Sequence, residues 1–169
     1  DIKPSNIMID PFGHVRVTDF GLAKQLASDA PNTQGGDRGD RLTGTGQLLG
    51  TPSFMSPEQA RADIANMDRR TDIYSLGAVF YCLLTGRPPF QSTSVAETIV
   101  QVLREEPTPP RELKLDVDPQ LQQICLRCLA KDRDDRYATA ADLAHDLDRF
   151  LREERPHASR MMRGKLVKT

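Results

Sequence analysis

Asp1-Ile2-Lys3-Pro4-Ser5-Asn6-Ile7-Met8-Ile9-Asp10-Pro11-Phe12-Gly13-His14-Val15-Arg16-Val17-Thr18-Asp19-Phe20-Gly21 is the stretch from which the rest of the chain is read. Ile7 to Ile9 is a short apolar run, and the four residues after it, Asp10 to Gly13, suit a type I turn with Pro second and Gly fourth. His14 to Thr18 then alternates polar and apolar residues, the period of a half-buried strand. A small hairpin is therefore expected between Asn6 and Asp19. It returns the chain to its starting point, so that polar groups before the hairpin and after it share one end.

Outward from the hairpin the composition changes. From Leu26 to about Gly46 the composition shifts to Ser, Asp, Asn, Gly and Thr with little apolar content, the make-up of a long loop that is either functional or disordered. Gly50-Thr51-Pro52 to Glu58 restores turn chemistry ahead of a short helix. Asp68 to Thr85 predicts a helix that is apolar almost all round in its second half (Leu76, Ala78, Val79, Phe80, Tyr81, Cys82, Leu83, Leu84), a pattern expected to be buried on every side. Gly86, Pro88 and Pro89 stop it. Three more helices carry start signals: Ser94 with Glu97, Asp118 with Pro119, and Thr139 with Asp142. Glu105 to Pro110 is a Pro-rich connector, and the tail from Arg152 to Thr169 reads as basic, polar and frayed. The expected fold is mainly α, with an N-terminal hairpin, a central buried helix and further helices packed around it.

Composition excludes several classes. The chain has 169 residues, 38% hydrophobic and 28% charged, with a net charge of -1. That balance gives no electrostatic footprint for nucleic acid. No apolar run approaches the ~20 residues of a membrane-spanning helix. Cys125 and Cys128 make a lone CxxC, but Leu121, Ile124, Cys125, Cys128 and Leu129 fall on one helical stripe. They read as core residues, since no second CxxC or His pair completes a metal set.

Three short motifs stand in order: Asp1-Ile-Lys-Pro-Ser-Asn6, Asp19-Phe-Gly21 and Ser56-Pro-Glu58. Each alone is weak, and turn or cap formation would explain Asp1, Asn6 or Asp19 singly. Together, joined by a hairpin and then a long polar loop, they fit the catalytic loop, the metal-binding motif and the end of the activation segment of protein kinases. The chemistry agrees. Phosphoryl transfer needs an aligned nucleophile and neutralised phosphate charge. A carboxylate facing the incoming hydroxyl would be Asp1. Hard oxygen ligands for a hard cation would be Asn6 and Asp19, and Lys3 adds positive charge for the phosphoryl group in flight.

With these motifs the chain resembles the large lobe of the bacterial, eukaryotic-like Ser/Thr protein kinases, over roughly Asp1 to Leu151. Gly50-Thr-Pro-Ser-Phe-Met-Ser-Pro-Glu-Gln59, Thr71-Asp-Ile-Tyr-Ser-Leu-Gly77 and Asp135-Arg-Tyr137 add to the likeness. The resemblance implies transfer of the ATP γ-phosphoryl group to Ser or Thr hydroxyls, with Mg2+ (or Mn2+) as cofactor and ATP as co-substrate. It implies catalytic roles for Asp1 and Lys3, metal binding by Asn6 and Asp19, and ATP contacts from Lys3, Asn6 and Asp19. Lys3 marks Ser/Thr rather than Tyr specificity, and Thr51 belongs to the loop that meets the substrate. Asp72 resembles the buried acid that holds the catalytic-loop backbone, while Glu58 and Arg136 match a buried ion pair. Leu22 to Met55 is then the activation segment, with Thr43 and Thr45 as autophosphorylation sites.

Ser56 stands where the family usually has Ala. The His-Arg of the catalytic loop, the Gly-rich loop, the strand Lys and its Glu partner are not in the sequence. The expectation is a partial domain that needs the small lobe in cis to hold ATP and is inactive alone. The alternatives are a pseudokinase-like scaffold lobe and a truncated gene product. Expected partners are protein substrates and a second kinase molecule, not nucleic acid. The domain is expected in the cytoplasm, with the parent protein membrane-anchored in one reading.

Overall fold

The computed structural model describes residues 2–19 and 52–163. Strands β1 (Ile7–Ile9) and β2 (Val15–Val17) form an antiparallel pair in the register Ile7 to Val17, Met8 to Arg16 and Ile9 to Val15. Asp10 closes the turn between them. Its backbone accepts the Gly13 N–H at 2.9 Å, and its Oδ1 accepts the N–H groups of Phe12 and His14. The His14 N–H, followed by the other donors, holds the Asp10 carboxyl below its usual range against the opposing effect of burial. Gly13 has φ +86°, the left-handed value glycine adopts freely.

The helices are α1 (Pro57–Ala60), α2 (Arg69–Thr85), α3 (Val95–Arg104), α4 (Pro110–Leu113), α5 (Pro119–Cys128) and α6 (Ala140–Arg163). The mainly helical architecture with one small hairpin matches the sequence reading. Their ends follow from local chemistry. Asp68 caps α2 by accepting the Arg70 N–H at 2.8 Å, and Gly86 at φ +81° ends it with its N–H on the Cys82 carbonyl. Asp118 caps α5 over Gln120 with Pro119 in the first turn. Thr139 and Asp142 satisfy each other's backbone donors at the start of α6. At α3 only half of the expected box forms. Ser94 accepts the Glu97 N–H, while the Glu97 carboxylate takes the Ser92 hydroxyl instead.

Helix α2 is the centre of the packing. One face carries Ile73 into a cluster with Ile124, Cys128, Tyr137 and Leu143, and another carries Tyr74, Ala78 and Tyr81 against Cys125 and Leu129. Each of the large aliphatic side chains among them (Ile73, Ile124, Leu129 and Leu143) contributes about 1.5–3 kcal/mol by leaving water. Both CxxC cysteines are core residues whose thiols burial pushes up, that of Cys128 to about 12. The expectation of burial on every side fails at Leu83, which is 78% exposed. It borders an open cavity with Leu84, Leu121 and Phe150, and no described element covers that flank. The frayed tail expected from Arg152 is also corrected, because the backbone stays helical to Arg163 as a continuation of α6.

Candidate active site

Pro4 opens a single 3-10 turn, Pro4–Asn6, in which the Asn6 N–H reaches the Lys3 carbonyl at 3.0 Å. The turn delivers Asn6 to the open end of the hairpin, where its side chain is buried. The Asn6 carbonyl accepts the Thr18 N–H at 2.9 Å and the Thr18 hydroxyl at 3.4 Å. This extends the ladder one step beyond the Ile7–Val17 pair. Asp19 is therefore the residue directly after the partner of Asn6. Its φ of +54° turns the chain out of the strand, a conformation Asp tolerates better than most residues. Asp19 is exposed. Lys3, in extended backbone at φ -157°, precedes the turn.

An amide and a carboxylate at one hairpin mouth form an oxygen donor set suited to Mg2+, which takes one or two protein ligands and fills its shell with phosphate oxygens and water. Asn6 and Asp19 fit that requirement by donor chemistry. Among the described residues no cluster of three His, Cys, Asp or Glu side chains forms a closed metal cage. Asp1, Thr43, Thr45 and Thr51 lie outside the described residues.

A second polar centre fastens the segment after Thr51. Arg136 Nη1 and Nη2 donate to Glu58 Oε1 and Oε2 at 2.8 and 3.0 Å. Its remaining donors reach the carbonyls of Ala130, Arg70 and Lys131, so all five guanidinium N–H groups are satisfied. The guanidinium also lies 4.9 Å from the centre of the Tyr74 ring. Thr71 donates its hydroxyl to Glu58 Oε1 at 2.8 Å. Burial alone would raise the Glu58 carboxyl. The Arg136 hydrogen bonds, a backbone donor and Thr71 outweigh it and bring the carboxyl down to about 2.

Ser56, which stands where the family usually has Ala, has a structural role. It is fully buried and caps α1, accepting the Gln59 N–H at 3.3 Å while Gln59 Oε1 accepts the Ser56 N–H at 3.0 Å. Ser75 donates to the Phe54 carbonyl at 2.9 Å, a link across 21 residues. The sequence reading gave no role to Thr71 or Ser75. Their signal was present as two hydroxyl residues one helical turn apart on the central helix. Asp72 departs from expectation. It is exposed in the first turn of α2, with no side-chain partner among the described residues. Burial of that acid needs backbone packed over it, and no described segment supplies any.

Residues 1–147 match the protein kinase domain family. The chain belongs to that family. It is 42% identical over 162 residues to the serine/threonine-protein kinase PknB of Mycolicibacterium smegmatis, covering 96% of this chain and 24% of that protein. PknB of Mycobacterium tuberculosis is 40% identical with the same coverage of both chains. A probable serine/threonine-protein kinase of Corynebacterium efficiens is 41% identical over 164 residues, 95% of this chain and 23% of that one. The chain thus spans about a quarter of the length of the curated relatives it matches.

Proposed function

We propose that this chain is the catalytic-loop portion of a Ser/Thr protein kinase, acting in phosphoryl transfer from ATP to Ser or Thr hydroxyls of proteins. The observation that carries the reading is the adjacency of Asn6 and Asp19 at the mouth of the hairpin, in a chain of the protein kinase family. Asp1 orients the substrate hydroxyl and takes its proton, and Lys3 balances charge on the transferred group. Asn6 and Asp19 hold the divalent cation, which when bound neutralises phosphate charge. The other wall of the ATP site is a small lobe carried in cis, and the domain ends near Leu151. Thr43 and Thr45 are autophosphorylation sites, and the kinase pairs with a second copy of itself. The domain works in the cytoplasm, whether or not the parent protein is anchored to a membrane.

The test is transfer of labelled γ-phosphate to a protein substrate by the whole protein. Asp1→Asn is expected to lower kcat by about 10²–10⁴-fold, as loss of a general base does. Asp19→Asn is expected to raise the Mg2+ concentration needed for half-maximal rate. Unchanged rates in both variants would overturn the reading.

A further inference from the structure

The segment that follows Thr51 runs along one face of α2 in matched steps. Phe54 and Glu58 are four residues apart, as are Thr71 and Ser75, and the pairing is antiparallel. Ser75 Oγ donates to the Phe54 carbonyl at 2.9 Å, and Thr71 Oγ1 donates to Glu58 Oε1 at 2.8 Å. Residues four apart on a helix lie on the same side. One stripe of α2 therefore offers two hydroxyl donors to one incoming strand of chain.

The two bonds differ in what else supports them. Glu58 also has Arg136 and a backbone donor. Toward Thr51 there is a single 3-10 turn, Pro52–Phe54, closed by the Met55 N–H on the Pro52 carbonyl at 3.1 Å. Among the described residues Ser75 supplies the side-chain hydrogen bond that fixes this turn to the central helix, and it is 4% exposed. Phe54 packs its ring on the Tyr74, Ala78 and Tyr81 cluster, so ring and carbonyl both hold the turn against α2, while α3 also lies against it. The Phe54 carbonyl would lose its side-chain donor in Ser75→Ala.

We infer that Ser75 is a positioning residue for binding of the protein substrate, fixing through the Phe54 carbonyl the turn next to Thr51. This rests on the kinase reading above, in which Thr51 lies in the loop that meets the substrate. Ser75 touches neither substrate nor ATP; it acts through the height of the turn. Misplacement by a fraction of an ångström at such a segment weakens alignment of the attacking hydroxyl. The hairpin that carries Asn6 and Asp19 is a separate element with its own hydrogen bonds, so the ATP side of the reaction is untouched.

The experiment measures KM for a protein substrate and for ATP in the whole protein, for the unaltered enzyme, Ser75→Ala and Ile73→Val. Ile73 lies in the other core cluster and serves as a destabilised control. Hydrogen exchange at Ser53 to Ser56 is followed in parallel. The expected result is a several-fold rise in the protein-substrate KM for Ser75→Ala alone, with the ATP KM unchanged and exchange faster at Ser53 to Ser56. Equal KM values in Ser75→Ala and the unaltered enzyme overturn the proposal. So does a parallel rise of both KM values in Ser75→Ala and Ile73→Val, which marks a general loss of stability. If the unaltered protein transfers no phosphoryl group, the functional reading itself has failed. Exchange then decides the anchor: acceleration confined to Ser53 to Ser56 keeps it, and no change removes it.

Discussion

Arg136 and Glu58, 78 residues apart in sequence, meet inside the protein through two hydrogen bonds of 2.8 and 3.0 Å. The guanidinium is fully buried and the carboxylate nearly so. Such a pair need not add much over two apolar side chains of the same shape, but losing one partner leaves the other charge buried alone. Arg136→Ala is expected to lower stability by about 3–5 kcal/mol. In a domain of this size that is a fall in melting temperature of roughly 10 °C. Calorimetry showing the same melting temperature would remove the pair from any account of the fold.

Gly77 on α2 faces Cys128 on α5 so closely that a Cβ at position 77 would stand 2.5 Å from the Cys128 Cβ. That atom is fixed to the α5 backbone and cannot swing away. Gly77→Ala therefore has to push two core helices apart. Alanine's better helix propensity returns about 1 kcal/mol, against an overpacking cost of about 1–3 kcal/mol. Net destabilisation is expected, read as a lower urea midpoint. A raised midpoint would mean that the helices do not approach this closely.

Much of this was legible in sequence because the signals were local. The Asp10 to Gly13 turn, the Asp68 and Asp118 caps and the Thr139–Asp142 box each need only neighbouring residues. The Glu58–Arg136 pair has no such local signal; only the likeness to kinases put those two residues together. What stayed hidden depends on which surface another segment covers. Leu83 looks like a core residue by periodicity and is 78% exposed. Asp72 matches a buried acid by motif and is exposed in the first turn of α2. The hydroxyls of Thr71 and Ser75 were visible as residues, but their acceptors on Glu58 and Phe54 belong to a different element.

Ala62 holds φ +54° just after α1, with its N–H on the Gln59 carbonyl at 3.0 Å. A Cβ in this left-handed conformation costs roughly 1–2 kcal/mol, and glycine removes that strain. Glycine also gives the unfolded chain more freedom, which offsets part of the gain. Ala62→Gly is expected to stabilise by about 0.5–1 kcal/mol, with no effect on the core, since Ala62 is exposed. A lower denaturation midpoint in this variant would show that position 62 is not strained in solution.

Lys131 donates to the Val102 carbonyl at 2.8 Å and stands 4.1 Å from the centre of the Phe90 ring, securing the last turn of α3. Partial burial brings its ammonium down to about 8, with Arg136 and Arg61 acting in the same direction and Glu106 and Glu105 against it. The unfolded chain restores a value near 10.5. Between those two values the unfolded state binds more protons than the folded one, so this residue makes stability rise with pH from about 8 to about 10.5. Other lysines and tyrosines titrate nearby, so the quantity to measure is a difference, the stability of the protein minus that of Lys131→Met at each pH. The difference is expected to move in favour of the protein across that window and to be flat between pH 6 and 7. A difference that stays flat up to pH 10.5 would mean that the ammonium remains charged and solvated in the folded protein.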